Sequence, residues 1–240
     1  MSDVNEIAKA TQKASEFGMK SLDLAGKVGG FFTRVFKEPI NELSGMLMDK
    51  LKFVRWKRLV NMSDEIKEIH TSRGIDVNNT LPVPPKFALP LLEYASLEED
   101  PDLQQLWNHL LANAMDPSFL GNMHSCFIEI IKGISASDAR FLKTFYNAIK
   151  NDGKINPLEK VNQFFLTKAQ LLRLMGMSDV DYQLSAYNLM RVQCVAPAVL
   201  KSEGLKVGTE PPTIFKGIDA IILTPLGVRF VEACTSNTKT

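Results

Sequence analysis

Along most of the chain, apolar residues recur at helical spacing, and before Gln193 runs that alternate every second residue are nearly absent. Ile7, Ala10, Ala14, Phe17, Ser21, Leu24 and Val28 follow one another at steps of three and four, which places them on one stripe of a first helix. The stripe is built of small residues and contains Gly18 and Gly26, so it needs a packing partner. Gly29-Gly30 reads as its end. Pro39 suits the first position of a second helix, whose apolar face is Ile40, Leu43, Leu47, Leu51 and Val54. A Pro/Gly/Asn-rich stretch from His70 to Pro90 then reads as a loop, because proline fixes φ and glycine admits positive φ.

The strongest helix signal lies in the middle of the chain. Asp100 is a good N-cap, Pro101 fits the first turn, and Asp102 suits the positive end of the helix dipole. Leu103, Leu106, Trp107, Leu110, Leu111 and Ala114 form the apolar stripe, with Gln104, Asn108 and Asn113 off it, and Asp116-Pro117 ends the run. A further helix is predicted from Asn122 to Lys132, ending at Gly133.

Capping signals organise the last segment. Ser135 with Asp138, Thr167 with Gln170 and Ser178 with Asp181 open helices running through Lys150, to Gly176 and to about Val192. Cys194–Leu200 is extended, Lys201–Gly217 is a second Gly/Pro loop, and Ile218–Leu223 is β-branched enough for a strand. Thr224-Pro225 caps a final helix to about Cys234. Three helices followed by strand, loop, strand and helix is the order of a winged helix-turn-helix module. The expected fold is therefore mainly α, with an N-terminal helical pair, a central helical segment, and a C-terminal winged helix-turn-helix-like module carrying a small β-hairpin. Strands are expected only after Gln193.

Charge sharpens the division. Residues 1–80 carry 13 basic and 11 acidic side chains, residues 81–133 carry 2 and 7, and residues 134–240 carry 13 and 9. The expected organisation is an N-terminal amphipathic helical region (1–80), a central acidic helical segment (81–133) and a winged-helix-like domain (134–240). Over all 240 residues the net charge is +1, so no bulk field draws the protein to nucleic acid or membrane. The composition, 45% hydrophobic and 23% charged, is that of a globular chain. Cys126, Cys194 and Cys234 are odd in number and lack CxxC spacing, which fits a reducing cytoplasm. No signal peptide is visible, and the longest stretch free of Asp, Glu, Lys and Arg, Leu103–Met115, is too short to span a bilayer.

Enzyme signatures are missing from the sequence. It contains no GxGxxG, no phosphate loop, no HExxH and no GxSxG. His70, His109 and His124 are isolated, and His124 and Cys126 diverge around a helix, so Cys126 beside Phe127 is expected to be a buried thiol. The acidic run Glu98-Glu99-Asp100-x-Asp102 lacks the pattern of a calcium loop and is better explained as helix capping. No catalytic residue, metal or cofactor is expected, and no small-molecule substrate is evident.

Two surfaces remain. Lys50, Lys52, Arg55, Lys57 and Arg58, interleaved with Phe53 and Trp56, put five cations in nine residues of an amphipathic helix. With Phe31 and Phe32 as an apolar half, they form a candidate membrane or partner surface. The predicted recognition helix, Asp179–Val192, offers Gln183, Asn188 and Arg191 as candidate nucleic-acid contacts. Its two N-terminal carboxylates oppose phosphate, so a protein contact is favoured over DNA.

The chain also resembles a known family. The matching stretches are Leu92-Glu93-Tyr94-Ala95, Glu98 through Trp107, Leu110 through Ala114, Ser135 through Ala139, and Leu223-Thr224-Pro225-Leu226-Gly227 with Phe230. The segment Asp49-Lys50-Leu51-Lys52-Phe53, with Arg55 and Trp56, matches the leading region. These resemble the abortive infection alpha (Abi-alpha) family of prokaryotic phage-defence proteins. The resemblance implies a non-enzymatic role in antiviral defence by abortive infection and transfers no catalytic residue. A protein partner or self-association is expected first, a membrane surface second and nucleic acid last. The expected location is the cytoplasm, with a peripheral position at the inner face of the membrane as its variant; a DNA-binding winged-helix regulator is the alternative function.

Overall fold

The computed structural model describes residues 23–37, 53–151, 157–160, 164–198 and 218–235. The expected second apolar face, from Ile40 to Leu51, lies outside the described residues, as do Lys50, Lys52 and the Lys201–Gly217 loop. The fold is mainly α-helical with a small three-stranded sheet toward the C-terminus. It divides into two compact units. One comprises 1–99 and 107–120, the other 100–106 and 121–240. The charge-defined segments 1–80, 81–133 and 134–240 do not map one to one onto these units, because a shift in surface charge does not mark where a core ends.

The first unit contains helix α1 over 23–36 and α2, Phe53–Ser72. It also holds a 3-10 turn, Val77–Asn79, and helix α3, Pro85–Ala95. Gly29-Gly30 does not end α1. Val28, Phe31, Phe32, Val35 and Phe36 continue the stripe at i, i+3, i+4, i+7 and i+8, and all five are buried. Burying them outweighs about 1 kcal/mol of helix propensity lost per glycine. The expected loop from His70 to Pro90 is also shorter than its composition suggests. Pro84 is the N-cap of α3, Pro85 takes the first turn, and Pro90 sits inside the helix. Phe87, Ala88, Leu91, Leu92 and Ala95 are buried along one face of α3, and this packing holds the helix through the proline. Backbone bonds from Val83 N to Val35 O (2.9 Å) and from Leu81 N to Met115 O (2.8 Å) tie down the connecting segment.

Helix α4, Pro101–Met115, begins as predicted, with Asp100 Oδ1 accepting from the N–H groups of Asp102 and Leu103. Leu103, Trp107, Leu110 and Leu111 are buried, but so are Asn108 and Asn113, which the apolar pattern had placed off the stripe. Each has a partner. Asn108 Nδ2 donates to Glu65 Oε2 at 2.6 Å, and Asn113 Oδ1 accepts from Arg73 Nη1 at 2.6 Å.

The second unit is built by caps. Helix α5, Cys126–Gly133, starts four residues later than Asn122. Helix α6, Ala136–Asn151, is opened by Ser135 and Asp138, which exchange backbone-to-side-chain bonds at 2.9 and 3.2 Å. The short helix α7, Pro157–Lys160, precedes strand β1, Leu166–Thr167. Thr167 and Gln170 form the predicted capping box of α8, Lys168–Met175, which ends on Gly176 in the left-handed conformation at φ 61°. Ser178 caps α9, Asp179–Arg191. Strands β2 (Val195–Pro197) and β3 (Ala220–Leu223) lead to α10, Pro225–Ala233, capped by Thr224.

The sheet is antiparallel in the order β1-β3-β2, with Leu166 opposite Ile221 and Val195 opposite Leu223. Strand β1 corrects the expectation that strands lie only after Gln193; two residues are too few to show alternation. The core of this unit takes Phe141, Leu142 and Phe145 from α6, Leu171 from α8, Tyr182, Ala186 and Leu189 from α9, and Val228 and Phe230 from α10. Tyr182 Oη donates to Ile218 O at 2.6 Å, and burial helps push its phenol up to about 12.

Candidate interaction surface

Helix α9 has two faces of different chemistry. Tyr182, Ser185, Ala186 and Leu189 are buried. On the opposite side Val180, Leu184 and Tyr187 are 65, 67 and 58% exposed. They stand at i, i+4 and i+7, so they form one stripe. Arg191, at i+11 from Val180, continues it and is exposed. The N-terminal end carries Asp179 and Asp181, both exposed. Beside the stripe is an open groove of about 350 Å³ lined by Ser135, Ser137, Asp138, Asp181, Leu184, Ser185 and Asn188.

The polar groups of α9 are engaged within their own unit. Gln183 Nε2 donates to Asp179 Oδ2 at 2.6 Å, and Asp179 pairs with Lys168. Asn188 Nδ2 donates to Gly133 O at 2.9 Å and to Asp138 Oδ2 at 2.8 Å. Arg191 Nη2 donates to Gly133 O at 2.7 Å, and its Nε donates to Asn188 Oδ1 at 3.0 Å. Gln183, Asn188 and Arg191 thus share one helix, but Asn188 and Arg191 cap the C-terminus of α5 and Gln183 is held by Asp179. The middle of the outward face of α9 is apolar. The sequence contained this signal, since an apolar set at 180, 184 and 187 stands beside the core set at 182, 186 and 189, and a helix with two apolar stripes has one to spare.

The basic helix looks different in three dimensions. Lys57 is exposed, while Arg55 and Trp56 are half-buried. Arg58 donates to Ser96 O, Leu97 O and Glu99 Oε1 at 3.3, 3.2 and 2.7 Å, so it joins the start of α2 to the end of α3. Phe31 and Phe32 are each 1% exposed. They are core residues, and the expected apolar half of a membrane surface is unavailable in this fold. Their spacing matched either fate, and the continuation of α1 through Gly29-Gly30 decides it.

Sequence reasoning also missed a buried polar cluster in the first unit. His70, 2% exposed, donates from Nε2 to Ala112 O at 2.9 Å. Burial is the main cause holding its pKa below the ordinary value. Arg73 pairs with Asp116 at 3.2 Å. Burial pushes the Asp116 carboxyl up, but bonds from the Ser118 hydroxyl and backbone N–H, together with Arg73, outweigh it and hold the carboxyl below its ordinary value.

One further expectation changes, at Cys126. Cys126 is exposed rather than buried, because α5 turns Phe127, not Cys126, into the core. All three thiols are free, and desolvation raises each, Cys194 to about 12. Asp100 and Asp102 serve the start of α4, as capping predicted. Among the described residues no group of three or more His, Cys, Asp or Glu is arranged to hold a metal, and no helix is long and apolar enough to cross a membrane.

Compared with known protein families, residues 55–234 match abortive infection alpha. The chain belongs to the abortive infection alpha family. It is a phage-defence protein of the abortive infection type. The match covers both units and includes α9 with its exposed stripe. Neither the curated proteins nor the solved structures contain a match to this chain.

Proposed function

We propose that this abortive infection alpha protein acts in the cytoplasm through a protein contact made by the exposed face of α9, carried on a winged helix-turn-helix module. The module is α6, β1, α8 and α9 followed by the hairpin β2–β3. The reading is supported by the element order and by the β1-β3-β2 sheet, in which the first strand pairs with the hairpin. In this reading α9 is the helix that a DNA reader would lay in the major groove.

The single observation that carries the choice of partner is the stripe itself. Val180, Leu184 and Tyr187 are exposed where a DNA reader needs donors and cations, and the two carboxylates at the N-terminal end repel phosphate. Contiguous exposed apolar surface marks a protein contact. Membrane association has weaker support, because Phe31, Phe32 and Arg58 are committed within the first unit. Leu184→Asp tests the reading. It should leave the melting temperature unchanged and abolish protection in plaque counts on infected cells. Full protection by a folded Leu184→Asp protein, or a salt-dependent shift of duplex DNA that Arg191→Gln removes, would overturn it.

A further inference from the structure

The outward face of α9 is not only apolar but polar at its two ends in opposite senses. Asp181 lies one turn or less from Val180 at the N-terminal end, and Arg191 stands in line with the stripe at the other. The helix dipole runs the other way, positive at the N-terminal end and negative at the C-terminal end, so it stabilises Asp181 and Arg191 where they stand, and the dipoles of two antiparallel helices attract. We propose that the occupant of this face is a second copy of the same chain, packed α9 against α9 about a two-fold axis. The proposal rests on the protein-contact reading above and names its partner.

The register follows from the residues. A two-fold axis crossing the middle of the stripe, between Leu184 and Tyr187, brings Leu184 of one copy over Tyr187 of the other, and the reverse. The same axis sets Arg191 of each copy against Val180 and Asp181 of its mate. Such a contact is isologous, so each favourable pair is made twice. The aromatic and aliphatic side chains fill the centre and the opposite charges lie at the rim, the usual anatomy of a protein interface. A parallel pairing would instead place Asp181 against Asp181 and Arg191 against Arg191, so the charges select the antiparallel arrangement.

The groove beside the stripe supports the same occupant. It is lined by Asp138 and Asp181 together with Leu184, so it offers carboxylate and apolar wall together. Asp138 is satisfied by Ser135 and Asn188, and Asp181 Oδ2 accepts from the Ser178 hydroxyl at 2.6 Å. Asp181 remains exposed at the rim, where an arriving guanidinium would meet it. In its own copy Arg191 spends Nη2 and Nε on Gly133 and Asn188, which fixes the side chain, while Nη1 makes no hydrogen bond among the described residues.

The experiment is sedimentation equilibrium of the full chain over a concentration series, read with a thermal melt of every variant. Wild type should show a monomer–dimer equilibrium. Leu184→Asp should weaken it by more than about tenfold, since it sets two carboxylates against the apolar centre. Asp181→Arg and Arg191→Asp should each weaken it, and the double charge swap should recover most of the loss. That recovery is specific to the antiparallel register and is not produced by a general loss of fold. If Arg191→Asp melts early, the double swap is set aside and Asp181→Arg and Leu184→Asp decide the matter: both must weaken the dimer, and a wild-type dimer constant in either overturns the proposal.

A wild-type protein that stays monomeric throughout overturns the self-pairing. If Leu184→Asp still abolishes protection in that case, the protein-contact reading survives with a different partner. If Leu184→Asp keeps both fold and protection, that reading fails as well. A dimer unaffected by Leu184→Asp, or a double swap no better than its singles, also overturns the proposal.

Discussion

At Gly227 the second unit has no room for a side chain. A Cβ there would collide with the backbone oxygen of Cys194 and lie 2.9 Å from Leu223 Cδ2. The obstacle is largely backbone, held by Thr224, whose N–H donates to Cys194 O at 3.0 Å and whose hydroxyl donates to Gln193 O at 2.7 Å. Gly227→Ala should therefore cost about 3 kcal/mol or more, read as a lower urea midpoint, since overpacking at a fixed backbone is among the larger penalties. A wild-type midpoint would show that the turn from β3 into α10 yields. His70 carries a different kind of prediction. Its folded pKa lies below the unfolded value of about 6.5, so the unfolded chain binds more protons as the pH falls past that point. Stability is fully present above that value and is lost progressively down to the folded pKa. Asp116, also depressed, keeps its contribution above its unfolded value and loses it as pH falls through its still lower folded pKa, so the two losses separate. Urea midpoints from pH 7.5 to 5 should fall in wild type and fall less in His70→Gln. Equal slopes would remove His70 as the source.

Elements differ in how much of them could be read from the chain, and the difference is one of range. The caps at Asp100, Ser135, Thr167, Ser178 and Thr224 involve a side chain and a backbone group three residues apart or less, so the local sequence determines them. The glycines and prolines misled, because their local preference for breaking a helix was overridden by burial that only the folded chain supplies. Gly29-Gly30 sits inside α1 and Pro90 inside α3 for that reason. The stripe on α9 was legible in principle, but its residues were read through the polar positions a DNA reader would use. Buried Asn108 and Asn113 were not legible, since their partners Glu65 and Arg73 lie about forty residues away in sequence. The glycine penalty can be tested directly. A Cβ at Gly30 would meet nothing within 4 Å, and the position is exposed and helical. Gly30→Ala should raise stability by about 0.5–1 kcal/mol, measured by denaturant midpoint. A loss of stability would mean that α1 needs a glycine there for a reason other than space.

At the scale of the molecule, two surfaces compete to explain how this defence protein acts, and their chemistry separates them. The basic helix keeps exposed Lys57 and half-buried Arg55, which make no hydrogen bond or ion pair among the described residues, whereas Arg58 is a structural strut between α2 and α3. Near an anionic bilayer each free cation contributes about 1 kcal/mol at low salt. Replacing Arg55 and Lys57 with Gln would then remove about 2 kcal/mol of membrane affinity, roughly thirtyfold, if the surface were used that way. Phe31 and Phe32, being in the core, would add no apolar contribution to wild-type binding, and the charge contribution would vanish as salt screens the cations. The α9 reading makes the opposite prediction for the same variant. The Arg55→Gln/Lys57→Gln protein should melt like wild type and protect infected cells as wild type does. Arg58→Gln should instead lower the melting temperature, because Ser96 O, Leu97 O and Glu99 each lose their donor. Plaque counts and survival of infected cells, scored beside vesicle co-sedimentation at low and high salt, distinguish the two. If the double Gln variant keeps its fold and loses both vesicle binding and protection, the basic helix is the working surface and the stripe on α9 is not.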